Sequence, residues 1–440
     1  MTEFYKTSER PENRSATIAV KAGIESDSAH GAVTPPLYLS SNYTFEDFAK
    51  PRQYDYSRSG NPTRDLLGNA ISELEGGAGG VITSTGMSAV LLVTQLLNAN
   101  DLVIAPHDCY GGTYRLFRSL ADKGHFRILF VDQNDPIALQ EAFLHQPKLL
   151  WIETPSNPLL RIVDIEKLAA LAHQHNCLVA ADNTFLTPVY QKPIELGADI
   201  VVHSTTKYIN GHSDIVGGAV IAKTTELFEQ LQWWANCVGI TASPFDSFLT
   251  LRGLRTLNAR LKQHEINTRE ILAFLQQHDQ VANIYHPSFE HHPGHLIAKK
   301  QQRGFGIMLS FEIKGGEHQV RAFISALKQF SLAESLGGVE SLICHPATMT
   351  HAAMDAAARE TAGISSTLLR LSVGIEDADD LIDDLRRGFN RAAQVDDIQS
   401  ANAQSTHLET TKSDRANEEP AATVLSGDDN AQQYIKHKVV

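Results

Sequence analysis

The chain has 440 residues, 42% hydrophobic and 20% charged, with a formal net charge of -13. That is ordinary globular composition, long enough for two or three cores, and without a Lys/Arg-rich tract it excludes a nucleic-acid partner. Cys109, Cys177, Cys237 and Cys344 form no CxxC pair, the polar start MTEFYKTSERPENR has no apolar signal core, and no run nears the roughly 18 apolar residues of a membrane span; a reducing, cytoplasmic setting with no membrane partner is expected.

Residues 1–60 read as an arm, because Pro35, Pro36 and Pro51 interrupt any long element. The segment Asp55-Tyr56-Ser57-Arg58 offers a phosphate a guanidinium and a phenol, or is a solvated loop. From Thr63 the pattern becomes α/β. A helix over 63–75 ends at Gly76-Gly77, and Gly79–Thr83 reads as a strand. It leads through Ser84-Thr85-Gly86-Met87 into an apolar helix, and such a turn presents free N–H groups to an anion. It lacks a Walker lysine, so ATP is not suggested. Further strands are predicted at 102–105, 128–132, 149–153, 177–182 and 200–202, with a helix over 165–175. Tyr110, Asn157 and Asp182 follow or close three of these strands.

After Val202 comes HSTTKYINGHSDIVGG. It sets Lys207 among small hydroxyl residues, just beyond a buried strand. Desolvation lowers an ammonium pKa, and such an amine can attack a carbonyl; alone, S-x-T-K is as well a surface lysine in a loop. Strands alternating with helices predict a mostly parallel sheet, which places ligands beyond the carboxyl ends of its strands. The 84–87 turn, Tyr110, Asn157, Asp182 and Lys207 share that address.

A strand over 219–222 and one long amphipathic stretch over 249–278 follow. The smaller α+β part has strands at 306–311 and 369–373. His286, His291, His292 and His295 lie in a Pro-containing loop, a compositional hint of metal only, and no metal is expected. Arg370 sits between apolar neighbours, where it needs an anion or an acid such as Glu376. Beyond 395, acids outnumber Lys and Arg eight to four and large apolar residues are few; a disordered acidic tail is predicted over 395–440.

Residues from about 15 to 394 also resemble the Cys/Met-metabolism group of pyridoxal-phosphate enzymes. The resemblance is carried by DYSRSGNPTR at 55–64, STGMSA at 84–89, APHDCYGGTYRLF at 105–117, ETPSNPLLRIVDI at 153–165, VAADNTF at 179–185, the lysine stretch at 203–218 and LAESLGGVESLICHPATMTH at 332–351. It implies a fold-type I transferase: an arm (1–60), a cofactor domain (61–257) with a mostly parallel sheet, and a smaller α+β domain (258–394). The cofactor implied is pyridoxal 5'-phosphate, with Lys207 as the Schiff-base lysine and Asp182 opposite the pyridine nitrogen. Gly86, Met87, Ser204 and Thr206 would hold the phosphate, and Tyr56 and Arg58 the phosphate of a neighbouring subunit. Tyr110 would stack on the ring and take part in catalysis, with Asn157 near the 3'-oxygen. Arg370 and Ser335 would bind the substrate α-carboxylate, with Arg115, Glu334 and Asp55 toward the rest of the substrate. The implied activity is γ-replacement of O-succinyl-L-homoserine by L-cysteine, giving L-cystathionine, in a homotetramer of two catalytic dimers. Cystathionine cleavage, sulfhydrylation of an O-acetylhomoserine and a non-catalytic binding protein are the alternatives.

Overall fold

The computed structural model describes residues 13–352, 359 and 362–394; the predicted tail lies outside them. Seven strands form the large sheet: β1 (Gly79–Thr83), β2 (Leu102–Pro106), β3 (Arg127–Val131), β4 (Leu149–Glu153), β5 (Leu178–Asp182), β6 (Ile200–His203) and β7 (Gly218–Ala222). Their spatial order is β1-β7-β6-β5-β4-β2-β3. β2 to β6 pair parallel, whereas β7 is antiparallel to both β1 and β6. β2, β4, β6 and β7 are buried at every position, as strands covered by helices on both faces must be.

The helices begin and end where local chemistry dictates. Asn61 caps the helix Pro62–Glu75 by accepting from the N–H groups of Thr63 and Arg64, Pro62 opens it, and Gly76 closes it in the left-handed conformation. Asp135 and Asp164 cap Pro136–Phe143 and Ile165–Gln174 in the same way. The long stretch expected over 249–278 is two helices, Pro244–Leu254 and Leu257–Gln276. At the break the Gly253 carbonyl accepts from Thr256 N–H at 3.1 Å, from Thr256 Oγ1 at 3.0 Å and from Arg260 Nη2 at 2.9 Å. Amphipathic spacing carries across such a break, so periodicity alone does not reveal it.

A second sheet holds β8 (Val281–Tyr285), β9 (Met308–Ile313), β10 (Ser331–Leu332), β11 (Leu342–Cys344) and β12 (Leu368–Ser372) in the order β10-β11-β12-β9-β8. β9 and β12 match the two expected strands. β8 was not foreseen: it is a bulged edge strand, and its Asn283 is tied by hydrogen bond to the largely buried Glu312 on β9. Residues 378–394 are helical. One apolar cluster joins Leu67 and Ile71 of the Pro62–Glu75 helix, Val201 of β6, Tyr208, and Leu309 and Leu371 of the small sheet. A second fills the space between the large sheet and its outer helices, with Phe117 meeting Trp151 edge-on at 5.4 Å and Phe126 at 6.1 Å. Among the described residues no helix is long and apolar enough to cross a membrane. The four loop histidines meet local partners. His286 pairs with Ser288 and His295 with the Pro287 carbonyl, His292 accepts from Gly294 N–H, and His291 stacks on Phe289.

Phe117 is fully buried between those two aromatic neighbours. Phe117→Ala is therefore expected to cost about 3–5 kcal/mol, read as a lower denaturant midpoint with the site chemistry retained in the folded fraction.

Candidate active site

β1, β2, β4, β5 and β6 end along one edge of the large sheet, and the chain places its polar side chains there. At the end of β1, Thr85 Oγ1 accepts from Ser88 N–H at 2.8 Å and starts the helix Gly86–Thr94. The N–H groups of Gly86 and Met87, in the first turn, have no partner within the helix. A Cβ on Gly86 would lie 2.8 Å from both Cβ and Oγ of Ser204, so only glycine lets this turn meet the segment after β6. Ser204 N–H donates to Thr184 Oγ1 at 2.9 Å, and Thr206 Oγ1 accepts from Gly217 N–H at 3.0 Å. The Ser204 hydroxyl and the amides of Gly86 and Met87 thus lie together at one helix N-terminus.

Lys207 follows directly. Its Nζ donates to Ser335 Oγ at 2.9 Å, across to the loop before β11. Burial, and then the nearby Arg370 guanidinium, lower the ammonium pKa to about 8, against a smaller opposing pull from Glu334. Ser335 holds φ at 90°, a conformation side chains rarely adopt, and backbone strain of this kind collects at functional positions. Arg370, on β12, is 3% exposed. Its Nη1 donates to Asn157 Oδ1 at 2.8 Å and its Nη2 to the Ser335 carbonyl at 2.9 Å, leaving Nε buried without a partner. Arg370 has no ion pair with Glu376, whose carboxylate instead accepts from Ser341 N–H and Oγ at 2.7 and 2.8 Å. The guanidinium therefore keeps its charge among neutral groups, and an incoming anion would be its natural counterpart.

On the far side of the pocket, Tyr110 precedes the helix Gly111–Asp122 with its ring 44% exposed. A Cβ on Gly112 would strike that ring at 2.5 Å and Met87 Sδ at 2.9 Å, so Gly112 lets ring and turn come together. Asp182 Oδ1 accepts from Thr184 N–H at 3.0 Å. Burial raises the Asp182 carboxyl, and Thr184, with both hydroxyl and amide, and His203 oppose that rise.

The fold thus unites Gly86, Met87, Tyr110, Asn157, Asp182, Ser204, Thr206, Lys207, Ser335 and Arg370, with Glu334 exposed at the rim. Four expected residues have no contact with this group within the chain. Asp55 accepts from Ser59 Oγ and Tyr56 N–H; Arg58 donates to the Asn236 carbonyl at 3.1 Å and lies 5.8 Å from the Tyr56 ring. Arg115 is exposed and forms no hydrogen bond or ion pair among the described residues. Sequence reasoning gave no role to Thr184, whose only signal is a hydroxyl two residues after Asp182, or to Glu153, noted only as a strand end.

A family model described as Cys/Met metabolism PLP-dependent enzyme matches residues 16–390. Cystathionine gamma-synthase of Escherichia coli (strain K12) is 56% identical over 380 residues, covering 86% of this chain and 98% of the relative. Cystathionine gamma-lyase of Bacillus subtilis (strain 168) is 44% identical over 369 residues, 84% of this chain and 97% of that one. The crystal structure of cystathionine gamma synthase from Xanthomonas oryzae pv. oryzae in complex with aminoacrylate and cysteine superposes with a TM-score of 0.86 at 60% identity, covering 87% of this chain and 99% of that chain. The chain belongs to the Cys/Met metabolism family of pyridoxal-phosphate-dependent enzymes, and its fold is that of fold-type I.

In the cofactor-free protein, the acylation rate of Lys207 should inflect near pH 8. Arg370 lowers that value, so Arg370→Gln should move the inflection upward, toward the ordinary lysine value of about 10.4. Mass spectrometry of the 207-containing peptide across a pH series checks both statements.

Proposed function

We propose that this chain catalyses γ-replacement: succinate leaves O-succinyl-L-homoserine and L-cysteine takes its place, giving L-cystathionine. The observation that carries the reading is the juxtaposition of Lys207 Nζ, Ser335 and the buried Arg370. The two synthase relatives, at 56% and 60% identity, favour replacement over the cleavage named for the Bacillus relative at 44%.

The residues present suit pyridoxal 5'-phosphate. The glycine cradle at Gly86, the free amides beside it and the hydroxyls of Ser204 and Thr206 match a phosphate in charge and size. Asp182 provides a carboxylate for a protonated ring nitrogen, Tyr110 an exposed ring to lie on the pyridine, and Asn157 a donor near its 3'-oxygen. When bound, the cofactor supplies a sink for carbanion charge.

The chain's own groups do the rest. Lys207, partly neutral near pH 8, takes the proton from the substrate α-carbon and returns it later in the cycle. Arg370 exchanges Asn157 and the Ser335 carbonyl for the substrate α-carboxylate in a bidentate contact, and Ser335 Oγ assists. Tyr110 covers the ring and excludes water during proton transfer. Arg115 is assigned the distal carboxylate of the succinyl group, with Glu334 and Asp55 sorting substrates at the entrance. Tyr56 and Arg58 are exposed on the arm, away from their own Lys207, which suits a role at a neighbouring subunit's phosphate in a homotetramer of two catalytic dimers. We divide the chain into arm (1–60), cofactor domain (61–257), smaller domain (258–394) and tail.

Three assays separate the readings. O-succinylhomoserine with cysteine should give cystathionine and succinate; replacing the succinyl ester by the acetyl ester should lower kcat/KM. Breakdown of cystathionine as the main activity would mean a lyase, and no turnover of either would leave a binding protein. Lys207→Ala should lose about 10²–10⁴-fold in kcat, along with the visible absorbance of the cofactor; a variant that retains turnover overturns the assignment.

A further inference from the structure

We propose that Glu153 is a positioning residue that stays a neutral carboxylic acid beside Asp182, so that Asp182 alone bears the charge of the pair while Glu153 pins the Tyr110 backbone. The inference rests on the reading of Asp182 as the partner of the cofactor ring.

The topology sets the two groups side by side. Glu153 and Asp182 are the last residues of β4 and β5, and they are register partners in a parallel pair. Partners in register project their side chains to the same face, so two carboxyl groups face one space. Glu153 is 8% exposed. Two adjacent carboxyls in such a place repel each other's charge, which favours a proton kept on one of them.

The surroundings decide which one. Four acids crowd this end of the sheet: Asp108, Glu153, Asp182 and the buried Glu75, which Asn183 Nδ2 and His203 Nε2 meet at 2.9 and 2.6 Å. Asp108, after β2, accepts from Arg161 Nη1 at 3.1 Å and from Ser156 Oγ at 2.7 Å, so its charge is matched. Asp182 has the amide and hydroxyl of Thr184 as donors; His203 on β6, whose Nε2 pairs with the buried Glu75 at 2.6 Å, favours its charged form only through space. Glu153 has one donor, the Tyr110 N–H, 2.8 Å from Oε2. Its other neighbour on that loop is the buried Cys109, whose thiol burial and Glu153 itself push up. No basic side chain bonds to Glu153 among the described residues. Donors favour the charged form, so the proton settles on Glu153, and burial and then Asp182 push its carboxyl well above the usual range. A protonated acid still accepts at its carbonyl oxygen, so the Tyr110 N–H bond survives. That bond fixes the residue opening the helix Gly111–Asp122, and with it the angle of the ring beside Met87.

Infrared difference spectroscopy of wild type against Glu153→Gln tests the charge directly, in the cofactor-free protein and the holoenzyme. The expected result at pH 7.5 (on the order of neutrality) is a protonated-carboxyl C=O band that shifts in D2O and is missing from the glutamine variant. Glutamine keeps both neutrality and the acceptor, so its dissociation constant for pyridoxal phosphate should stay within about twofold of wild type. Glu153→Ala, which loses the hydrogen bond, should weaken it by about tenfold. If Glu153→Gln folds poorly, Glu153→Asp carries the assignment through a displaced band. Absence of the band, or a carboxylate band assigned to Glu153, overturns the inference, as does a tenfold loss of cofactor affinity in Glu153→Gln. The band reports Glu153 whatever the ring partner is. Failure of the Asp182 reading would appear separately, as unchanged cofactor affinity and spectrum in Asp182→Asn.

Discussion

Two basic side chains, the half-buried Lys207 and the buried Arg370, meet at Ser335, and among the described residues no carboxylate bonds to either. Arginine does not surrender its proton at accessible pH, so the cost of confining two like charges falls on the lysine. Neutral oxygens hold the arrangement: Asn157 Oδ1 and the Ser335 carbonyl on the guanidinium, Ser335 Oγ on the amine. The pocket thus contains a stranded positive charge and an amine ready to act as a base. Both sheets must be in place to create it, because Lys207 follows β6 and Arg370 lies on β12. The join is tight: a Cβ on Gly337 would lie 2.7 Å from Tyr208 N, Val339 N–H donates to the Gly211 carbonyl at 3.1 Å, and Ser213 hydrogen-bonds Glu340. The loop bearing Ser335 is bolted to the loop bearing Lys207.

Much of this was legible because the parallel sheet encodes itself simply. Buried strands read as short apolar runs, turn residues punctuate them, and the strand-end rule collects Gly86, Tyr110, Asn157, Asp182 and Lys207 at one edge without knowledge of any contact. The lysine's polar neighbours were ambiguous alone and gained meaning only from that shared address. The small sheet was harder. β8 alternates poorly, β10 and β11 are two and three residues long, and no local pattern joins Glu312 on β9 to Asn283 on β8. The buried arginine reads in sequence as needing an anion, and sequence does not choose between a ligand and Glu376. The geometry removes Glu376 by giving it Ser341. Thr184 and Glu153 escaped because their importance depends on lateral register between strands, which the linear order does not display.

Asp55, Tyr56, Arg58 and Arg115 define a second limit. Their expected roles concern atoms outside this group, and one folded chain leaves them on its surface, where Arg58 meets the Asn236 carbonyl and Asp55 meets Ser59 and Tyr56. Ten of the expected residues stand together in the folded chain, and these four stand outside that group.

β7 has a consequence for how the molecule comes into being. Among the described residues β1 pairs with one strand, β7, and bridges to Thr241 on its other side, so the first strand made remains unpaired until synthesis passes Gly218. The turn at Gly86 leans on Ser204 and the chain near Thr85 on Gly218, where a Cβ would come within 2.3 Å of the Thr85 carbonyl. Closing so long a loop carries an entropic cost before any contact repays it. The anion cradle is therefore among the last parts of the large sheet to form, and it exists only once the segment carrying Lys207 has arrived. A nascent chain therefore cannot present the Gly86 turn in its folded setting before Lys207 has been made.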